Sequence, residues 1–138
     1  MNRMAIEESE LTETIIGCAM RVHSALGPGF LESVYQRAFE HDLRKTGLQV
    51  ECQLPLSVHY DGVIVGEFMA DLIVEGKVMI ELKANQALVL ANEAQLVNYL
   101  TATGIEIGLL INFGAQRLEF KRKSRLYRPK ASSQEIIL

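Results

Sequence analysis

Residues 11–26 carry apolar side chains at positions 11, 15, 16, 19, 20, 22 and 26, the three-and-four spacing that lines one face of an α-helix. Gly27-Pro28-Gly29 follows, and this run of turn-forming residues predicts the helix end. The same spacing resumes in Phe30, Leu31, Val34, Tyr35, Ala38, Phe39 and Leu43. Basic Arg44 and Lys45, with Gly47 as C-cap, then close a second helix. Beyond Leu48 the period drops to two: Leu54, Leu56, Val58 and Tyr60 alternate with polar neighbours, as in a strand with one buried face. Asp61-Gly62 is a hairpin signal, so residues 63–74 read as a second strand. Glu75-Gly76-Lys77 is another tight turn, and residues 78–84 complete a three-stranded meander. Helical spacing returns over residues 88–103. The strongly apolar residues 105–113 read as a central strand, residues 117–123 as the last strand, and a frayed tail is expected from Pro129.

This order, with no repeat and no linker, predicts an α/β fold whose mixed, α+β-like sheet is flanked by helices. The 138 residues suit one domain, with a core over about 11–126 and a basic tail over about 127–138. With 49% apolar and 22% charged residues, the chain falls outside the disordered and low-complexity classes. No apolar run approaches the roughly 18–20 residues that cross a bilayer, and the first ten residues are acidic, so a cytoplasmic protein with no membrane partner is expected. Cys18 and Cys52 belong to no CxxC or zinc-site spacing and read as reduced packing residues.

The net charge of -3 conceals an uneven distribution, since residues 1–116 hold 7 basic against 15 acidic side chains and residues 117–138 hold 7 against 2. The basic end comprises Arg117, Lys121, Arg122, Lys123, Arg125, Arg128 and Lys130. It is either a phosphate-neutralising cluster or a solvated face.

Candidate chemistry centres on Ile80-Glu81-Leu82-Lys83 in the third strand. Alternation puts Glu81 and Lys83 on one face, opposite Ile80 and Leu82. If Val74 pairs with Val78 across the turn, counting back sets Asp71 directly opposite Glu81. Two facing carboxylates are destabilising without a neutraliser, and a divalent cation is a natural one. Lys83 can then position a water or stabilise charge on a phosphoryl group; the alternative is an edge salt bridge between Lys83 and either carboxylate. Gln95 and Tyr99 lie four apart on one helix face, where an amide and a phenol can contact a substrate backbone. Glu32 and Tyr35 similarly share a face near the start of the second helix. His23 has a possible site role beside a packing one, His41 and His59 read as surface residues, and Asn112 reads as a pin for the following loop.

Gly29-Phe30-Leu31-Glu32-Ser33-Val34-Tyr35 resembles the motif of the GxxExxY proteins, members of the PD-(D/E)XK nuclease superfamily. The resemblance extends in order and spacing through His23, Leu26 to Gly29, Asp71, Glu81-Leu82-Lys83, Gln95 to Leu100 and Gly108 to Gly114, about residues 11–126 in all. It implies a restriction-endonuclease-like core, with helices flanking a three-stranded meander and further strands. It also implies Mg2+ or Mn2+ held by Asp71 and Glu81, catalytic assistance from Lys83, and support of the metal by Glu32. Gln95 and Tyr99 resemble the QxxxY element of RecB-like nucleases, and with Tyr35 are expected to touch substrate. Ala70 stands where the superfamily's name carries proline. The implied activity is hydrolysis of DNA or RNA phosphodiesters. The alternative is a non-catalytic nucleic-acid-binding or protein-interaction module contacting its partner through the tail. Either reading is compatible with a homodimer that buries Leu88-Val89-Leu90.

Overall fold

The computed structural model describes residues 8–125 and 136–137. Helices α1 (Glu8–Leu26) and α2 (Glu32–Lys45) precede the strands β1 (Val50–Tyr60), β2 (Val63–Val74) and β3 (Val78–Lys83). Helix α3 (Leu90–Thr103) leads to β4 (Ile107–Asn112) and β5 (Glu119–Ser124), and Ile136–Ile137 form a short β6. The six strands make one sheet in the order β5-β4-β3-β2-β1-β6. Only β3 and β4 pair in parallel. A parallel pair needs a crossover connection, and α3 supplies it.

The apolar stripes found in the sequence are the surfaces that pack. Leu11, Ile15, Cys18, Ala19 and Val22 of α1 join Tyr35, Phe39 and Leu43 of α2 over one sheet face, against side chains including Leu72, Ile80, Leu82 and Leu109. On the other face, Leu96 and Leu100 of α3 pack on Ala70, Ile73, Met79 and Leu110. The sheet therefore lies between two helical layers. Gly108 sets the spacing of one layer, since a Cβ there would stand 2.9 Å from Leu96 Cδ1 and 3.0 Å from Leu100 Cδ1. Every residue of β4 is buried, which explains its unbroken apolar run.

The predicted ends hold with small shifts. Gly47 at φ +90° follows α2; its N–H donates to Arg44 O, and the Leu48 N–H donates to Leu43 O, the hydrogen-bond pair of a Schellman ending. α1 starts three residues earlier than its apolar stripe, and β1 starts at Val50, two residues after the change of texture at Leu48. Ile136 and Ile137, expected in a frayed tail, pair instead with Tyr60 and His59 of β1. Pro129, Arg128 and Lys130 lie outside the described residues. No helix among the described residues is long and apolar enough to cross a membrane.

Candidate active site

The β2–β3 turn sets the register from which the site follows. Glu75 and Gly76 both take positive φ, at +56° and +65°, and the Lys77 N–H donates to Val74 O at 2.9 Å. Val74 then pairs with Val78, Ile73 with Met79 and Leu72 with Ile80, the register counted from the sequence. One step further, where Asp71 meets Glu81, the ladder stops. Each carboxylate there reaches the opposite strand: the Leu82 N–H donates to Asp71 Oδ2 at 2.8 Å, and the Asp71 N–H donates to Glu81 Oε1 at 3.4 Å.

β2 also changes face at this point. Leu72 and Val74 pack with the α1/α2 layer, yet Ala70, two residues from Leu72, packs with the α3 layer. A regular strand keeps residues i and i+2 on one face, so the alternation inverts at Asp71. β1 inverts beside it: Val50 and Cys52 belong to the α1/α2 side, Leu54 and Leu56 to the α3 side. Asp71 consequently acts on groups from both layers. Burial, and after it the Asp71 charge, raises the pKa of Glu32 on α2; burial, then Glu81 and Asp71, raise that of Tyr99 on α3.

The electrostatics follow from crowding acids in a dry place. Glu81 is only 7% exposed; burial first, then the Asp71 charge, pushes its carboxyl up to about 8. Burial also raises Glu32, with Asp71 adding to the effect and Lys83 opposing it. Lys83 makes no direct ion pair with either carboxylate among the described residues, so the alternative edge salt bridge is absent there; its charge acts on Glu81 and Glu32 at longer range. Facing carboxyl oxygens suit a hard divalent cation once Glu81 gives up its proton. Among the described residues no group of three or more His, Cys, Asp or Glu side chains is spaced to hold a metal ion. Asp71 and Glu81 are the carboxylates placed to face a cation, with Glu32 as a neighbouring acid; a hard cation such as Mg2+ takes few protein ligands and keeps several waters.

Around this centre the sequence-derived residues divide. Tyr99 lies against Phe68 of β2, ring centroids 3.7 Å apart and planes 11° from parallel, while Gln95 one turn earlier is exposed. Phe68 was not singled out from the sequence, although it belongs to the strand that carries Asp71. Tyr35, the third residue expected to touch substrate, is fully buried and stacked on Phe113 at 5.0 Å. Its hydroxyl donates to Gly27 O and accepts from the Phe30 N–H at 3.1 Å, which shapes the loop leading into Glu32. Tyr35→Phe is expected to cost about 1–3 kcal/mol of unfolding free energy by leaving those groups unpaired; urea titration with an unchanged m-value would show it.

His23 Nε2 donates to Ala115 O at 2.9 Å, which ties α1 to the β4–β5 loop. His41 is exposed and His59 half-buried. Asn112 is fully buried and pins its surroundings as read from the sequence. Its Oδ1 accepts from the N–H groups of Asn85 and Gly114, and its Nδ2 donates to Asn85 O and Glu119 Oε1. The segment just beyond Lys83 is thereby fixed. In the basic stretch, Lys123 is paired with Glu93 and Arg125 with Glu106, so part of that charge is neutralised within the domain.

A family model described as the PD-(D/E)XK nuclease superfamily matches residues 9–123. Among solved structures, one titled "Crystal structure of SSO0001" aligns with a TM-score of 0.56 at 20% sequence identity, covering 88% of this chain and 60% of that one. That likeness concerns the fold, and this chain spans about 60% of that structure's length. No curated protein matches the chain.

Proposed function

Since the chain belongs to the PD-(D/E)XK nuclease superfamily, we propose that it is a divalent-metal-dependent nuclease of the GxxExxY group, hydrolysing phosphodiester bonds of DNA or RNA. The observation that carries this reading is the opened ladder at Asp71 and Glu81. Two carboxylates reach across the split, with Lys83 two residues along the same strand. Mg2+ or Mn2+ bound by Asp71 and Glu81 supplies Lewis acidity and an acidified water. Asp71 and Glu81 contribute oxygen donors held in place by bonds to backbone N–H groups. Lys83 carries the positive charge for the phosphoryl oxygens and orients the attacking water. Glu32 adds negative charge from α2 and stabilises the cation. Tyr99, braced by Phe68, and exposed Gln95 steady the substrate strand.

The test is cleavage of labelled single- and double-stranded DNA and RNA with Mg2+ or Mn2+, run beside an identically purified Asp71→Ala protein. Metal-dependent cleavage by the unaltered protein alone is expected, and the cleaved member of the panel names the substrate class. Equal cleavage by the Asp71→Ala protein would assign the activity to a contaminant. Absence of cleavage across the panel would count against the enzyme reading.

A further inference from the structure

Beside Asp71, the β1–β2 pairing passes from Cys52↔Leu72 to Leu54↔Ala70 without joining Gln53 to Asp71. Gln53 holds φ at +49°, a left-handed conformation that is strained for a non-glycine residue and persists only where its surroundings impose it. Its side chain has a specific partner: Gln53 Nε2 donates to Gln36 Oε1 at 3.0 Å. Gln36 Nε2 in turn donates to the main-chain oxygen of Asp71 at 3.5 Å. Gln36 stands four residues after Glu32, on the same face of α2. A two-amide chain therefore runs from the strained residue of β1, through the helix that carries Glu32, to the backbone of Asp71.

We infer that Gln36 and Gln53 are positioning residues that hold the face change of β1 and β2, and with it the orientation of the Asp71 carboxylate. This rests on the proposed metal-binding role of Asp71 and Glu81. The geometry supports positioning over plain packing because the chain ends on the backbone of Asp71, where the alternation of β2 inverts. A packing role would not need a strained glutamine, since glycine adopts that φ freely. Residues that orient a metal ligand are commonly worth about ten-fold or more in metal affinity.

The experiment is calorimetric titration of the whole metal-free protein with MnCl2, with thermal midpoints measured in parallel, for the unaltered protein, Gln36→Met and Gln53→Gly. Gln36→Met keeps the length of the side chain and removes its hydrogen bonds. Gln53→Gly removes the amide and relieves the backbone. Gln36→Met is expected to weaken Mn2+ binding about ten-fold; Gln53→Gly is expected to weaken it in the same direction while its thermal midpoint stays equal or rises. Unchanged Mn2+ affinity in both variants, or affinity losses that merely follow lowered thermal midpoints, would overturn the inference. Failure of the unaltered protein to bind Mn2+ would instead overturn the metal-site reading itself, and this inference with it.

Discussion

Lys83→Ala is expected to slow cleavage by about a hundred- to a thousand-fold, the usual loss when one preorganised charge-stabilising donor is removed, while Mn2+ binding and the thermal midpoint stay near those of the unaltered protein. The separation follows from how Lys83 is held. Its main-chain oxygen accepts the Phe113 N–H at 2.9 Å, and Asn112 clamps the next turn through Asn85, so the backbone path is fixed without the ammonium. No ion pair among the described residues is broken by the change. The lost charge acts on Glu81 and Glu32, where it opposes their raised pKa values, and it also repels a bound cation, so its two effects on metal binding oppose each other and the large loss is in rate. Single-turnover cleavage and Mn2+ titration on the same preparation separate rate from binding. Cleavage at the unaltered rate would remove Lys83 from the mechanism, and loss of metal binding equal to the loss of rate would make it a support for the ligands.

The part of this arrangement that was legible in the sequence is the part set by local rules. A three-residue turn at Glu75-Gly76-Lys77 fixes the register of two strands, and counting along them brings Asp71 to Glu81; the sheet adopts that register through Leu72 and Ile80. The apolar period likewise gave both core-facing helix stripes and the buried central strand. Strict alternation fails at Asp71, because the inversion depends on the conformation of Gln53 on the neighbouring strand. Glutamine carries no propensity for positive φ that could announce it. Gln36 had a readable sign, its four-residue spacing from Glu32, but its partner lies in β1. Tyr35 shows the converse: its spacing from a candidate carboxylate is readable in the sequence, but its packing partner Phe113, stacked on its ring, lies more than seventy residues away. Pairing of Ile136 and Ile137 with β1 is again non-local: their apolar character allowed packing on the domain, but nothing in the sequence named the strand they join.

Without metal, the protein is expected to lose stability as pH rises from about 5 to about 8, and Glu81→Gln is expected to abolish that share of the loss. The sign follows from proton counting. Glu81 is raised to about 8 in the folded chain from an ordinary value of 4.5, first by burial and then by the Asp71 charge. Between those values the folded protein holds a proton that the unfolded chain has released, so unfolding becomes easier with rising pH, by at most about 1.4 kcal/mol per unit for one group. Below about 4.5 both states carry the proton; above about 8 neither does, and the contribution is flat. Urea titrations of both proteins in EDTA at pH 5, 6, 7 and 8 isolate it, since other carboxylates largely cancel in the difference. A pH-independent difference would show that Glu81 ionises normally. The same proton opposes the cation: a metal ion bound by Asp71 and Glu81 must displace it, so Mn2+ affinity should climb with pH by up to about ten-fold per unit below about 8 and then level. The proton that buried Glu81 retains at neutral pH is thus what a divalent cation must displace where the two strands part, so metal binding and proton release are linked at this site.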